Sequence, residues 1–208
     1  MQNKVVVITG GSSGIGKALA EEFGKRGSKI VITGRKKEAL QDALTSLKSK
    51  DIEAISIQGD VSKEKDNEVM AQEAIKAFGK IDILINNAGI SMRAPFKEVD
   101  LGVIRKVMDI NYWGAIYATK YCLPEILKNK GSVIGISSIA GFRGLPGRVG
   151  YSSSKFALQG FLESLRTELL KTGVHVLTAC PGFTASNIRK ASLTADGSSQ
   201  GRMCGYHL

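Results

Sequence analysis

The sequence predicts an α/β fold, a doubly wound parallel sheet in a three-layer α/β/α arrangement. Three observations predict it. Short runs rich in Val and Ile recur along the chain, and continuous apolar runs suit parallel strands covered on both faces. Longer helical patterns alternate with them, which builds βαβ units whose right-handed crossovers place helices on both sides of the sheet. A glycine loop, "TGGSSGIG", joins the first strand-like run to the first helical one.

The elements follow in order. "KVVVIT" (4–9) is the first strand and runs into the glycine loop, after which 16–26 is helical. "KIVIT" (29–33) ends at the turn "GRK" before a helix over 37–50. "EAISIQ" (53–58) ends at "GDVS", where Ser62 is expected to cap a helix over 64–78, with Lys65 standing where a full capping box has Glu. "IDILIN" (81–86) is the fourth strand, and 110–128 the fourth helix. "SVIGIS" (132–137) is the fifth strand, 153–171 the fifth helix, and "VHVLTAC" (174–180), closed by "CPG", the sixth strand. Residues 1–190 read as one domain. Residues 191–208 are expected to be a mobile tail, because "ADGSSQGRMCGYHL" is polar, glycine-rich and aperiodic.

Composition narrows the classes. Apolar residues at 43% and charged residues at 23% match a soluble globular domain. The first apolar run is too short to span a bilayer and lacks a signal-peptide pattern, so a cytoplasmic protein is expected. Three scattered cysteines and two histidines suit neither a disulfide framework nor a metal site. The net charge of +10 is spread over amphipathic helices rather than gathered in a block. That argues for a solvated surface and an anionic cofactor over nucleic acid.

Glycines at 10, 14 and 16 permit a tight turn and close approach of backbone to a pyrophosphate at a helix N-terminus. Glycine-rich corners also occur without ligands; the strand before and helix after make dinucleotide binding the better reading here. Dinucleotide folds that take NAD put an acidic residue after the second strand, whereas an arginine suits a 2′-phosphate. This chain has Gly34 there, then Arg35, Lys36 and Lys37. NADP is therefore expected over NAD.

Further along, Tyr151 and Lys155 stand four residues apart. On a helix that spacing is a rise of about 6 Å and slightly more than one turn, so both share a face. A surface pair would look the same. An ammonium about 4 Å from a phenol, at an effective dielectric near 20, favours the phenolate by up to about 4 kcal/mol, or roughly 3 pK units. That brings a tyrosine towards the range of a general acid–base.

Together these residues form a set that resembles the short-chain dehydrogenase/reductase family over roughly the first 190 residues. The matching motifs are "TGGSSGIG", "GDV" at 59–61, "NNAG" at 86–89, the Asn of "INYWG" at 111, "ISSIAG" at 136–141, "YSSSK" at 151–155 and "CPG" at 180–182. "LTADGS" at 193–198 resembles a hydroxysteroid-dehydrogenase-like branch. The resemblance implies a Rossmann fold and hydride transfer between NADP(H) and a carbonyl or secondary alcohol. Tyr151 would exchange the proton, Ser138 hold the substrate oxygen, Lys155 tune the tyrosine and Asn111 distort its helix and maintain a water relay. Adjacent Ser137 competes with Ser138, and a plain buried Asn is the alternative at 111. The cofactor contacts it implies are Gly10, Ser12, Ser13, Gly14, Ile15 and Gly16 in the loop, Arg35, Asp60 and Val61 at the adenosine end, and Asn87, Ala88 and Gly89. Tyr151, Lys155, Pro181, Gly182 and Ser186 would sit at the nicotinamide, with Ser186 in place of the family's threonine.

Residues 90–96, 139–145 and 183–188 are candidate pocket segments. Phe96, Phe142, Leu145 and Phe183 suit a small hydrophobic ketone, lipid-like or steroid-like, or simple packing. Family members pair through helices matching 111–128 and 153–171, which implies a homodimer. They also continue into further helices and a seventh strand. No pattern for these is evident here, so a sheet edge is expected to be open. The competing classes are a non-catalytic NADP-binding module, a nucleic-acid binder, and an isomerase or dehydratase on the same fold.

Overall fold

The computed structural model describes residues 1–184, 188 and 191–201. Six parallel strands form one sheet: β1 (Val5–Ile8), β2 (Lys29–Gly34), β3 (Ala54–Gln58), β4 (Ile83–Asn86), β5 (Ser132–Ile136) and β6 (His175–Ala179), in the order β3-β2-β1-β4-β5-β6. The order reverses between β1 and β4, which opens a crevice at their C-terminal ends.

Period-two alternation sorts the strand side chains between two cores. Val5, Val7, Val31, Leu84, Val133 and Val176 face α3 (Glu64–Phe78), α5 (Gly114–Lys128) and α6 (Val149–Glu168). Val6, Ile8, Ile30, Ile32, Ile83 and Ile136 belong to the opposite core, with α1 (Gly14–Lys25) and α2 (Lys37–Lys48). The first face carries three helices and the second two. On β6, Leu177 is 53% exposed. The open edge expected from the sequence is β6 among the described residues, where Arg166 Nε donates to the Val176 carbonyl at 3.0 Å.

Four local expectations are corrected. The fourth helical run begins earlier than 110: α4 (Leu101–Met108) is capped by the Asp100 carboxylate, which accepts from Gly102 N–H. A π-helical turn at Asp109–Trp113 then leads into α5. Ser62 does not cap α3. Its N–H and hydroxyl both donate to Asp60 Oδ1, because Asp60 lies two residues upstream and closes a local turn first. The last helix starts at Val149, not 153, which puts Tyr151 in its first turn. The mobile tail expected from 191 is, over 191–201, a turn held against the body. Leu193 N–H donates to the Ser91 carbonyl, Arg93 N–H to the Leu193 carbonyl, and Gln200 N–H to the Ser192 carbonyl. The Thr194 hydroxyl beside Asp196 holds that carboxyl down to about 2. Thr194, Asp196 and Gly197 supply turn hydrogen bonds that an aperiodic pattern conceals.

Candidate active site

The glycine loop is shaped by what its backbone must pass. Gly10 has φ +64°, and a side chain there would put Cβ 2.9 Å from Ala88 Cα. At Gly16 a Cβ would meet the Gly10 carbonyl oxygen and the Asn87 side chain. Asn87 Nδ2 donates to the carbonyls of Thr9 (2.9 Å) and Gly10 (3.1 Å), tying the segment after β4 to the loop after β1. Thr9 completes the tie: its hydroxyl accepts from the N–H groups of Asn87 and Ala88, both at 3.0 Å. Sequence reasoning missed Thr9. Its signal, a hydroxyl at the end of an apolar strand beside a glycine loop, was available.

These loops border a cleft of about 800 Å³. Gly10, Ser12, Ser13, Gly14 and Ile15 line it, as do Arg35, Asp60 and Val61. So do Asn87, Ala88, Gly89, Ser138, Tyr151, Lys155, Pro181 and Gly182. Gly16 and Asn111 support the cleft from behind, and Ser186 lies outside the described residues. Gly34 is close to Ser12, whose hydroxyl would be 3.3 Å from an added Cβ. The position after β2 is thus tight, and Arg35 and Lys36, both exposed, carry the charge at that end.

Deeper in, two polar side chains are fixed by long-range bonds. Lys155, 4% exposed, donates from Nζ to the Ile136 carbonyl at 2.8 Å. Its Nζ lies 5.9 Å from the centre of the Tyr151 ring. Burial lowers the Lys155 pKa to about 8, with the neighbouring Cys180 thiol pulling the other way. Asn111, 1% exposed, sits in the π-helical turn. Its Oδ1 accepts from Ile90 N–H (2.8 Å), and its Nδ2 donates to the Ile90 carbonyl and the Ser154 hydroxyl, both at 2.9 Å. Both of its amide hydrogens and one Oδ1 lone pair are thereby taken by Ile90 and Ser154. A Cβ at Gly89 would lie 3.2 Å from Asn111 Oδ1 and 3.5 Å from Lys155 Nζ, so Gly89 is what lets these two groups come together.

The two competing serines differ. Ser137 is buried; its hydroxyl donates to the Lys155 carbonyl at 3.4 Å and accepts from Gln159 Nε2 at 3.0 Å. Ser138 caps a 3-10 turn (Ile139–Gly141) and accepts from Ala140 N–H at 3.2 Å. Among the described residues no acceptor for its proton is seen. Tyr151, 7% exposed, stands on the same wall at the positive end of a 20-residue helix. Cys122 is buried in the core, where burial pushes its thiol up to about 12, and is structural. Among the described residues no group of three His, Cys, Asp or Glu could hold a metal ion, and no helix is long and apolar enough to cross a membrane.

A family model described as short chain dehydrogenase matches residues 4–196. Dehydrogenase/reductase SDR family member 7B of Xenopus laevis is 38% identical over 210 residues, covering 98% of this chain and 65% of its own length. An 11-beta-hydroxysteroid dehydrogenase-like 4A protein of Arabidopsis thaliana is 37% identical over 200 residues, covering 94% of this chain and 66% of its own length. The chain therefore spans just under two thirds of these two relatives. Among solved structures, a short chain dehydrogenase/reductase from Burkholderia phymatum in complex with NAD superimposes with a TM-score of 0.88 at 29% identity, over 90% of this chain and 68% of that one. An actinorhodin polyketide ketoreductase variant with NADPH gives 0.87 at 30% identity, over 89% of this chain and 74% of that one.

Proposed function

The chain belongs to the short-chain dehydrogenase family, with relatives in its hydroxysteroid-dehydrogenase-like branch, and on that premise we propose an NADP(H)-dependent oxidoreductase. It interconverts a carbonyl and a secondary alcohol on a small, largely hydrophobic substrate. One observation carries the reading: Ser138, Tyr151 and Lys155 converge on the wall of the same cleft that the glycine loop borders.

The residues fit a dinucleotide. Gly10 and Gly16 leave a cradle that a Cβ would fill, and the loop delivers free N–H groups at the start of α1 for a pyrophosphate. Arg35, aided by Lys36, takes the 2′-phosphate, since a guanidinium binds phosphate through two parallel hydrogen bonds. Asp60 and Val61 would border the adenine, and Pro181 and Gly182 the nicotinamide. When bound, the nicotinamide supplies or accepts the hydride.

The chain's own groups manage the oxygen and its proton. Ser138 donates to the substrate oxygen, with its own oxygen held by Ala140 N–H. Tyr151 gives its phenolic proton to that oxygen in reduction and takes one back in oxidation. Lys155 Nζ, 5.9 Å from the centre of the ring, and the positive end of α6 stand beside the tyrosine through both steps. Asn111 keeps the segment after β4 in place through Ile90 and holds open the proton path behind Lys155.

The proposal extends to a cytoplasmic homodimer through α5 and α6. Exposed aromatics on both elements support the pairing: Trp113, just before α5, is 44% exposed and stacks on Tyr117 at 5.7 Å, and Phe156 on α6 is 46% exposed. A second reading, a non-catalytic NADP-binding module, draws on the open substrate side, where Phe142 and Phe183 are 60% and 83% exposed.

A fluorescence titration with NADPH and NADH, followed by a panel of hydrophobic ketones in the same cuvette, separates the two. Preference for NADPH that Arg35→Ser lowers about tenfold, with ketone-dependent oxidation, is the expected outcome. NADPH binding without oxidation of any ketone favours the binding module. Equal affinity for the two cofactors sinks the role of Arg35.

A further inference from the structure

Behind the adenosine end of the cleft lies a second, much smaller cavity, of about 10 Å³. Its walls are Thr33 near the end of β2, Ile57 on β3, the loop 59–61, and Asp66, Asn67 and Met70 on α3. Gly59, Asp60 and Val61 also line the large cleft, so that loop is a partition with the cleft on one side and the cavity on the other.

Two side-chain oxygens of the residues around this cavity have no hydrogen-bond partner among the described residues: Thr33 Oγ1 and Asn67 Oδ1. Thr33 is 3% exposed and Asn67 2% exposed, so neither is open to bulk solvent. Asn67 cannot turn away. Its Nδ2 donates to the carbonyls of Val61 and Lys63, both at 2.8 Å, and exchanging the ends of the amide would lose both bonds. Thr33 stands two residues beyond Val31 on β2 and shares its face of the sheet, towards α3. Its β-branched side chain has few rotamers to choose from. A buried oxygen left unpaired costs as much as a lost hydrogen bond, and here two of them belong to the walls of one small space.

The size of the space fits one guest. About 10 Å³ is the room of a single water molecule. A water can accept the Thr33 hydroxyl hydrogen and give one of its own to Asn67 Oδ1, with the Asp66 carboxylate on the same wall. Ile57 and Met70 make the rest of the wall apolar, which suits a small neutral guest.

We propose that this cavity binds one internal water, which bridges the Thr33 hydroxyl to the Asn67 carboxamide and so fixes the partition from behind. The strand that carries Thr33 runs on into Gly34 and Arg35, and the loop that Asn67 holds carries Asp60 and Val61. On the sheet side these walls are already joined, by Gly59 N–H on the Gly34 carbonyl and by Gln58 Nε2 on the Arg35 carbonyl, both at 3.0 Å. The water adds a tie on the helix side, from β2 to α3. Thr33 and Asn67 are positioning residues: neither lines the cleft. The water itself follows from the cavity alone, whereas its effect on affinity rests on the NADP(H) reading.

Crystals of the full chain that diffract well enough to show ordered water test the site directly. One water within hydrogen-bond distance of both Thr33 Oγ1 and Asn67 Oδ1 is expected, lost in Thr33→Val and kept in Thr33→Ser. An empty cavity, or a water that misses either oxygen, overturns the site. Melting adds a readout with a sign. Valine has the shape of threonine without its hydroxyl, so with a bridging water Thr33→Val strands Asn67 Oδ1 and lowers Tm by about 2–4 °C. A hydroxyl that bonds nothing gives an unchanged or higher Tm, which overturns the bridge. For the cleft the probe is adenosine 2′,5′-bisphosphate, which carries only the end that this wall meets. Its affinity by calorimetry falls about threefold or more in Thr33→Val and is retained in Thr33→Ser. Equal affinity in all three proteins overturns the positioning role. Thr33→Ala, which also lacks the hydroxyl, takes over if Thr33→Val does not fold. If the wild type binds neither NADPH nor the bisphosphate, the NADP(H) reading fails, and the crystals and the melting still decide the water.

Discussion

The two halves of the sheet are built to different standards. Around β1, β2 and β3 there are helices on both faces, β1 is wholly buried, and the cleft wall is backbone: a loop whose glycines touch Ala88 and Asn87. Around β5 and β6 the helices stand on one face, Leu177 is half-exposed on the other, and the cleft wall is side chains. A wall of backbone shapes a site by what cannot fit. A wall of side chains does so by what is offered, and can be altered one group at a time. The nucleotide end is therefore rigid and general, and the reaction end is where this chain can be particular.

The sharpest way to break that contrast is at Tyr151. Tyr151→Phe keeps the ring that packs beside Met92 and removes the proton, so turnover falls about 10²-fold or more while NADPH affinity stays within a few-fold. Stopped-flow single turnover checks it, and unchanged turnover would remove the tyrosine from the chemistry. Gly16→Ala tests the opposite end. Its methyl group meets the Gly10 carbonyl and Asn87, so the protein loses about 1–3 kcal/mol of stability from overpacking and NADPH affinity falls with it. Denaturant melts with and without cofactor read both, and a variant as stable as the parent would show the loop to be softer than the contacts require.

The smallest effect is a fraction of a proton. Lys155 has a pKa lowered to about 8 by burial, so the free protein carries its ammonium below pH 8 and loses it above. An anionic cofactor favours the charged form and raises that pKa. Binding at pH 8–9 thus takes up protons, binding at pH 6.5 does not, and affinity declines as pH rises through 8. Calorimetry in two buffers of different ionisation enthalpy measures the uptake. Equal heats in both buffers at pH 8.5 would uncouple Lys155 from the cofactor.

Much of this architecture was legible. The six strands were found because Val and Ile runs serve both faces of a parallel sheet, and the helices between them because their apolar period is 3.6. The glycine loop, "NNAG", Ser138 and the Tyr151–Lys155 pair were legible as motifs of a resembled family. What escaped depends on distance in sequence. Arg148 finds Ser91 across 57 residues, and Asn111 finds Ser154 across 43. No local pattern announces either. The π-helical turn at Asp109–Trp113 was legible only through the resemblance, which has Asn111 distort its helix; the apolar period is silent there, because one added residue in a turn leaves it nearly intact on both sides. The early start of α6 was hidden by Gly150, a poor helix former that lets the helix head approach Met92 and Ile104.

Ser138 carries a last consequence. Its oxygen receives the Ala140 amide, which leaves its hydrogen and one lone pair to offer the cleft. Tyr151 in its phenol form also points hydrogen. An arriving atom must bring two lone pairs to satisfy both, as a ketone oxygen does. A protonated imine brings none, though its carbon takes hydride readily. On the proposed reading a ketone oxygen can accept from Ser138 and Tyr151 together, and that is the polarity this end of the cleft is expected to favour.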